Sequence, residues 1–175
     1  MKRIGKVLLA LALVVPGMLL AASPAQASFS PENGTVAYLH EWNGGCLDVR
    51  EAGTGNGTLL QRWDCGSGWN QQFIFSEPGY QTGQLSWKLK PRYLTSKCVD
   101  AKDGLHASTP VQIWDCNSGW QQRWVVQPAG DYSGRYYTIR AAYDLSYCLD
   151  IDGSGNGWTA YIKWCSGDAG SWWYM

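Results

Sequence analysis

Residues 98–124 read CVDAKDGLHASTPVQIWDCNSGWQQRW, and the chain contains one related copy before this stretch and one after it. The earlier copy, residues 46–73, reads CLDVREAGTGNGTLLQRWDCGSGWNQQF. The later and more divergent copy, residues 148–175, reads CLDIDGSGNGWTAYIKWCSGDAGSWWYM. Glycines recur at intervals of 51 residues, at Gly68, Gly119 and Gly170. A period of about 50 residues is typical of repeated supersecondary units that bury one shared core.

Each unit is predicted to contain four short strands. Runs rich in β-branched and aromatic residues alternate with Gly, Ser, Asn and Asp, which is the pattern of strands joined by tight turns. We predict strands at 35–40, 46–49, 58–63 and 72–75, then at 86–90, 98–101, 111–114 and 123–126, and finally at 136–140, 148–151, 160–164 and 172–174. The sequence therefore predicts an all-β fold of about twelve short strands.

The three units are expected to close on one another. One unit of four strands cannot bury both of its faces alone, whereas three units around a pseudo-threefold axis can share a core and leave no open sheet edge. We place the repeats at about 35–84, 85–134 and 135–175, within a single domain that spans residues 28–175.

The first 27 residues have the pattern of a secretory signal peptide. A basic start precedes an apolar run at 7–22, and residues 25–27 read AQA, a typical cleavage site. We therefore expect a secreted protein with no membrane span. The leader holds three of the 14 basic residues and none of the 14 acidic ones, which leaves 11 against 14. This balance excludes the basic surface typical of nucleic-acid binding proteins.

Six cysteines fall two to a unit, which indicates a disulfide framework in a secreted chain. Pairing within each unit treats the three copies alike, and the expected bridges are Cys46–Cys65, Cys98–Cys116 and Cys148–Cys165. A zinc site is disfavoured because the cysteines lack C-x-x-C spacing and His40 and His106 form no cluster with them. Residues 150–155 match the opening of a calcium loop, but Tyr161 replaces the glutamate required at its twelfth position. We expect no metal and no cofactor.

The repeated segments C-[LV]-D, Q-x-W-x-C and Q-x-[WF] resemble the ricin B-type lectin domain, also called the R-type lectin fold or carbohydrate-binding module family 13. The resemblance covers nearly all of the chain after the leader, about residues 36–175. It implies a β-trefoil of three repeats with one disulfide in each. It also implies a saccharide as the partner, bound in shallow pockets without catalysis, and we expect the protein to be a monomer.

The resemblance also implies the residues of the pockets. In the family, an Asp after the first cysteine accepts bonds from two sugar hydroxyls, and an aromatic residue before the second cysteine stacks on the sugar ring. An Asn or Gln at the start of the Q-x-W segment completes the polar contacts. By resemblance, the first unit would use Asp48, Gln61, Trp63, Asn70 and Gln71, the second would use Asp100, Gln112, Trp114, Gln121 and Gln122, and only Asp150 and Trp164 carry over in the third.

The third unit is expected not to bind a sugar. One residue is missing between Trp164 and Cys165, where the other units have an Asp. If the tryptophan sets the alignment, Ile162 replaces the Gln that lies two residues before it. If the cysteine sets the alignment, Lys163 takes the stacking position and Tyr161 takes the position of the Gln. By the 51-residue spacing, the pair of amides is replaced by the tryptophans at 172–173, which would seal the barrel.

For several of these residues, the sequence alone does not decide between a structural role and a role in a pocket. The recurring Asp can equally bond its own turn, because a requirement of the fold would also recur in three copies. Strand alternation favours exposed faces for Trp63 and Trp114, whereas Phe73 and Trp124 are interpreted as core residues. Two further tryptophans either rim a pocket or cover the end of the barrel: Trp69 and Trp120.

The chemistry of these residues favours a neutral saccharide, of the galactose or xylose type. An ionised Asp accepts strong hydrogen bonds, an amide both donates and accepts, and a Trp face offers flat apolar area. A glycoside hydrolase is disfavoured, because it needs two carboxylates flanking one bond and the strongest candidates occur once per unit. The alternative is a protein-binding module, such as an inhibitor or a toxin accessory, on the same fold.

Overall fold

The computed structural model describes residues 30–104, 106–131, 133–167 and 169–175, and the predicted leader lies outside the described residues. Within these ranges the backbone forms thirteen short strands and four 3₁₀ turns, and no α-helix. No helix among the described residues has the length and apolar character needed to cross a bilayer. The all-β prediction is therefore confirmed.

The strands agree closely with those predicted from the sequence. They are β1 Val36–Tyr38, β2 His40–Glu41, β3 Gly45–Val49, β4 Thr58–Asp64, β5 Gln72–Gln81, β6 Gln84–Pro91, β7 Lys97–Ala101, β8 Thr109–Asp115, β9 Trp124–Pro128, β10 Tyr137–Ala141, β11 Tyr147–Asp150, β12 Tyr161–Trp164 and β13 Trp173–Tyr174. The predicted strand at 35–40 is divided into β1 and β2. Strands β5 and β6 extend beyond their predicted ends as a long hairpin, with a register shift between Ser76 and Gly79.

Each unit contributes one hairpin of the same kind, and the units join in a ring. The hairpins are β3–β4, β7–β8 and β11–β12. The units are linked by the antiparallel pairs β5–β6, β9–β10 and β13–β2. Because the last strand of the chain pairs with β2 near its start, the third unit closes onto the first. This closure removes the free edge that a linear sheet would expose.

The core lies where the three units meet. It contains Leu, Val and Ile side chains from every unit and one large aromatic ring from each: Phe73, Trp124 and Trp173. The indole N–H of Trp124 donates to the Val99 carbonyl at 3.0 Å, and that of Trp173 donates to the Leu149 carbonyl at 3.1 Å. The expectation that Phe73 and Trp124 are core residues is confirmed.

The three disulfides occur as expected, one in each unit. Their Cα–Cα distances are 5.1, 5.0 and 5.1 Å, within the usual range for a bridge. His40 lies beside the first bridge, with its Nδ1 atom 3.3 Å from each sulfur. Both sulfurs are already bonded to each other, so this group lacks the thiolates that a metal would require.

Two asparagines tie neighbouring units together. Asn56 of the first unit donates to the Asp115 carboxylate at 2.8 Å and accepts from the Asp115 backbone N–H at 2.8 Å. Asn156 of the third unit donates to the Asp64 carboxylate at 2.9 Å. Each asparagine precedes a glycine with a φ of +89°, Gly57 or Gly157, which lets the turn reach across to the next hairpin. These turns place atoms of one unit beside the hairpin of another.

The core ring of the second unit is expected to carry a large share of the stability. Replacing Trp124 by alanine removes a fully buried ring and its hydrogen bond, so the free energy of unfolding should fall by about 3–5 kcal/mol. Chemical denaturation measures this change. As a control, Trp42→Ala removes a ring that is 48% exposed and should cost about 1 kcal/mol or less. Equal losses in the two variants would contradict the assignment of Trp124 to the core.

Candidate functional site

A pocket in the first unit forms around the hairpin β3–β4. The strand register places Asp48 directly opposite Gln61, and the 3₁₀ turn Trp69–Gln71 brings Asn70 to the same place. The cavity has a volume of about 540 Å³. Its lining, called here the unit-one pocket, consists of Asp48, Arg50, Glu51, Ala52, Gln61, Trp63, Asn70 and Gly157.

The carboxylate of Asp48 is the centre of this pocket. Its Oδ1 atom accepts from Gln61 Nε2 at 3.0 Å, and its Oδ2 atom accepts from Asn70 Nδ2 at 2.7 Å and from Gln71 Nε2 at 3.1 Å. Burial raises the pKa of Asp48 above its ordinary value, and the three amide bonds oppose that rise. Since both oxygens accept from N–H donors, the arrangement fits an ionised carboxylate held in one orientation.

Gln71 and Gln122 lie behind the carboxylates and are not part of either pocket lining. Gln71 also donates to the Asp64 carbonyl at 3.0 Å and accepts from the Gly66 N–H at 2.7 Å. Gln122 makes the matching bonds, to Asp100 at 3.0 Å and to the Asp115 carbonyl at 3.1 Å. These two amides therefore bond the carboxylate and the backbone beside it, while other residues form the pocket linings.

Arg50 was not identified from the sequence. Its Nε atom donates to Gln61 Oε1 at 3.0 Å, and its terminal nitrogen donates to the Gly157 carbonyl at 3.2 Å and to Thr159 Oγ1 at 3.1 Å. The first bond fixes which end of the Gln61 amide faces Asp48. The other two bonds join this pocket to a turn of the third unit, a contact that no local sequence pattern reveals.

A second pocket, of about 330 Å³, forms around the hairpin β7–β8. Its lining, called here the unit-two pocket, consists of Asp100, Asp103, Gly104, Gln112, Trp114, Trp120 and Gln121. Asp100 accepts from Gln112 Nε2 at 3.0 Å and from Gln122 Nε2 at 3.0 Å. Burial raises the pKa of Asp100 above its ordinary value, and the two amide bonds oppose that rise.

The two pockets differ in the number of hydrogen bonds that the carboxylate accepts from protein side chains. Asp48 accepts from three side-chain amides and Asp100 from two of those described, because Asn70 bonds Asp48 whereas its counterpart Gln121 does not bond Asp100. A carboxylate has about four acceptor sites. Among the described residues, Asp100 therefore keeps more acceptor capacity for a ligand than Asp48.

Each pocket is also lined by a tryptophan of its hairpin, Trp63 or Trp114. Trp63 is 45% exposed and Trp114 is 41% exposed, although the three residues that precede each of them in the strand are buried. Each stands opposite a disulfide cysteine, since Cys46 pairs with Trp63 and Cys98 with Trp114. The tryptophan thus has the same register position relative to the disulfide in both units.

The third unit does not repeat this arrangement. In the hairpin β11–β12, Cys148 stands opposite Lys163 and Asp150 stands opposite Tyr161. The cysteine therefore sets the alignment, as one of the two predicted alternatives required. Trp164 instead stands opposite Tyr147 and stacks on it, with ring centroids 4.5 Å apart. The structure does not bring Trp164 together with Asp150.

The amide pair of the third unit is replaced by different residues from those that the spacing predicted. The 3₁₀ turn Ala169–Ser171 occupies the place of Trp69–Gln71, and Ser171 Oγ donates to Asp150 Oδ2 at 2.8 Å. The equivalents of Asn70 and Gln71 are therefore Gly170 and Ser171, and the prediction of residues 172–173 was wrong. Trp173 is the core ring of this unit, as expected of a residue that seals the barrel.

The stacking position of the third unit holds a charge. Lys163 forms an ion pair with Asp152 and lies 3.9 Å from Asp150 Oδ1. An ammonium group in this position offers no flat apolar face to a ligand. The third unit thus keeps the buried carboxylate of the other units, but Lys163 stands in place of the stacking tryptophan, and Tyr161 and Ser171 stand in place of the amides Gln61 and Gln71.

Comparison with known proteins agrees with this architecture. The family model described as "Ricin-type beta-trefoil lectin domain" matches residues 32–134 and 85–175. The fold is similar to that of ThreeFoil, a designed 3-fold symmetric protein, with a TM-score of 0.69 and 22% identity over 79% of this chain and 96% of that one. It is also similar to the Macrolepiota procera ricin B-like lectin solved with lactose, with a TM-score of 0.65 and 16% identity over 83% of this chain and 97% of that one.

An enzyme contains the same fold as one part of a longer chain. The exo-beta-1,3-galactanase 1,3Gal43A from Clostridium thermocellum matches with a TM-score of 0.70 and 19% identity. The match covers 83% of this chain but 30% of the galactanase chain. At these identities the likeness to solved structures shows the fold alone.

Glu41 is a buried carboxyl at a position where the corresponding residues of the other two units are not acidic. It pairs with Trp173, whereas the corresponding core rings pair with Pro91 and Ala141. Glu41 is 1% exposed, and its Oε2 atom lies 3.5 Å from Arg62 Nε. Burial raises the pKa of Glu41 to about 7; Arg62 opposes this rise and Asp150 adds to it. The interface between the third and first units therefore contains a group that titrates near neutral pH.

We expect Glu41 to make stability depend on pH. A carboxyl with a raised pKa binds its proton more tightly in the folded chain, so its contribution is present below the ordinary value of 4.5 and is lost as the pH rises through about 7. Denaturation of the wild type between about pH 5 and pH 8 should show this loss, and Glu41→Gln should flatten the curve. The exposed Glu32 supplies a matched control, because Glu32→Gln should keep the wild-type slope. An unchanged slope in Glu41→Gln would show that Glu41 does not titrate in this range.

Proposed function

The chain belongs to the ricin-type β-trefoil lectin family, and from this premise we propose that it is a secreted lectin that binds neutral sugars and catalyses no reaction. The observation that carries the proposal is the repeated set of buried Asp, exposed Trp and pocket-lining amide in the unit-one and unit-two pockets. The ricin B-like lectin solved with lactose supports galactosides as the first ligands to test, beside xylosides.

The pockets match the two chemical surfaces of a pyranose. Hydroxyls on the ring edge donate to Asp48 or Asp100, and these bonds are charge-assisted and therefore strong. Asn70 or Gln121 supplies an amide that both donates and accepts, so it distinguishes one hydroxyl orientation from another. The C–H face of the sugar lies against Trp63 or Trp114, whose rings lose little conformational entropy on binding.

The carboxylates of these pockets are arranged to accept hydrogen bonds rather than to transfer protons. Each pocket contains a second acidic residue, Glu51 or Asp103, so the count of carboxylates alone permits hydrolysis. A glycosidase, however, needs one protonated carboxyl that donates to the leaving oxygen. Both oxygens of Asp48 and of Asp100 accept from amide N–H groups, which favours the ionised form. This supports binding without catalysis.

Secretion fits the disulfide framework. Three bridges form and persist in an oxidising compartment, and the leader pattern at residues 1–27 supplies a route to one. In this proposal, residues 28–175 act as one monomeric domain. The alternative function, a protein-binding module such as an inhibitor or toxin accessory, has no need of the Asp–Trp–amide set in two places.

A glycan array probed with the mature, oxidised protein tests the proposal. We expect signals on neutral glycans with terminal galactose or xylose, and none that depend on sulfate or phosphate. Incubation with the bound polysaccharide, followed by measurement of reducing ends, should show no cleavage. Absence of binding to every glycan would contradict the lectin proposal and favour the protein-binding alternative, and release of reducing ends would contradict the non-catalytic one.

Asp100 and Asp150 should differ in their effect on binding. Asp100→Asn keeps the size of the side chain but removes the charge that strengthens bonds from sugar hydroxyls, so affinity for the unit-two ligand should fall by about tenfold or more. Asp150→Asn is the matched control in the unit whose stacking position holds Lys163 instead of a tryptophan, and it should leave binding unchanged. Titration of both variants, after thermal denaturation has verified the fold, gives the comparison. Loss of binding in Asp150→Asn alone would identify the third unit as the site.

Two pockets on one chain should give weak binding of free sugars and stronger retention on polymers. A shallow pocket with one stacking face predicts a Kd in the sub-millimolar to millimolar range, about −4 to −5 kcal/mol. Calorimetry should give two sites per chain, and Trp114→Ala should give one. On an insoluble polysaccharide the same variant should lose much more than half of its retention, because avidity is lost. Equal retention of variant and wild type would contradict two working pockets.

A further inference from the structure

An aromatic surface continues outward from the unit-two pocket. Trp120, which lines that pocket, is 37% exposed, and its ring centroid lies 4.8 Å from that of Tyr143. The two rings are inclined by 33°, and Tyr143 is 55% exposed. Neither ring is a core residue. Together with Trp114, they place three partly exposed aromatic side chains in one continuous region, to which the second unit contributes Trp114 and Trp120 and the third unit contributes Tyr143.

The corresponding region of the first unit is built differently. Trp69 occupies the same position as Trp120 in its 3₁₀ turn, but it is not part of the unit-one pocket. The guanidinium of Arg92 lies over the Trp69 ring, 4.8 Å from its centroid, at the position 51 residues before Tyr143. Arg92 is itself anchored by a bond to Gln72 Oε1 at 2.5 Å. Arg92 therefore covers the ring of Trp69, whereas the ring of Tyr143 extends the aromatic surface of Trp120.

The floor between the unit-two carboxylate and this aromatic pair is open backbone. Gly104 has a φ of +107°, and a Cβ atom added there would lie 3.5 Å from the far edge of the Trp120 ring. A larger side chain at Gly104 would therefore occupy the space between the pocket and the ring. The charged residues that line the pocket, Asp100 and Asp103, are both acidic. Acidic residues disfavour anionic ligands, so the surface suits an uncharged one.

We propose that Trp120 and Tyr143 form a second sugar subsite that adjoins the unit-two pocket. Unit two then recognises neutral oligosaccharides of two or more sugars, whereas unit one recognises a single sugar. The subsite rests on the proposed function, since the first sugar must occupy the Asp100 pocket. The next sugar of the bound oligosaccharide then lies with its C–H face against the rings of Trp120 and Tyr143. The two units consequently differ in specificity, with unit two selecting internal or extended segments of a glycan.

Chain-length dependence of binding tests this subsite. In a Trp63→Ala background, which silences unit one, calorimetry compares galactose with galactobiose and xylose with xylobiose. The disaccharide that binds should show at least about a fivefold gain in affinity over its monosaccharide, the scale of one added aromatic contact. Tyr143→Ala should remove most of this gain and leave monosaccharide binding within about twofold, because Tyr143 lies outside the pocket lining. Tyr143→Phe, which keeps the ring, should retain the gain.

Matched variants separate failure of the subsite from failure of the lectin proposal. Trp120→Ala should also remove the gain, whereas Trp69→Ala, its counterpart in unit one, should not. If monosaccharide binding persists and Tyr143→Ala keeps the full gain, the subsite is overturned and the lectin function stands. If the parent protein binds neither series, the lectin proposal and the subsite are overturned for these sugars together. Thermal denaturation of each variant verifies that the fold is retained.

Discussion

The register that each disulfide imposes on its hairpin determines what each unit can do. In the first two units a cysteine stands opposite a tryptophan, and two residues further along the strand an Asp stands opposite a Gln. In the third unit the cysteines are 17 residues apart instead of 19 or 18, and the same pairing brings Lys163 and Tyr161 to these places. Because strand side chains alternate between faces, a shift of one residue exchanges every side chain that the pocket would present.

Closure of the ring completes the pockets that the hairpins begin. Gly157, which belongs to the third unit, forms part of the unit-one pocket and accepts a bond from Arg50. The turns at Asn56 and Asn156 reach the aspartates that follow the two pocket tryptophans. The unit-one pocket is therefore built by two neighbouring units, whereas the residues that line the unit-two pocket all belong to the second unit. An isolated first repeat would retain Asp48 and Trp63 but would lack the wall that Gly157 supplies.

The sequence predicted what depends on local pattern and failed where packing decides. Strand positions, disulfides and the core roles of Phe73 and Trp124 follow from periodicity and repeat symmetry, and the structure agrees with them. The equivalence of residues in the third unit was mistaken, because Gly170 repeats the spacing of 51 by coincidence while the core ring is Trp173. Arg50 was missed because two of its three partners, Gly157 and Thr159, lie more than 100 residues away in the chain. Long-range partners of this kind have no signature in a single sequence.

The buried aspartates reconcile the two roles that the sequence left open. In every unit one carboxylate oxygen accepts a bond from the 3₁₀ turn, at 3.1 Å from Gln71, 3.0 Å from Gln122 and 2.8 Å from Ser171. That bond ties the turn to the hairpin and is a requirement of the fold. This explains why the third unit has the Asp although it has Lys163 at the stacking position, and Tyr161 and Ser171 in place of the amides.

In the first two units the other oxygen also holds the Gln of the facing strand, at 3.0 Å in each case. The same carboxylate thus orients an amide toward the pocket while it fastens the turn behind. Removal of the whole side chain would disturb both functions at once, whereas loss of the charge alone acts mainly on hydrogen bonds made to the anion. Recurrence of an Asp in three repeats is therefore evidence for the fold, and the proposed sugar binding depends on the exposed tryptophan that lines the pocket with it in the first two units.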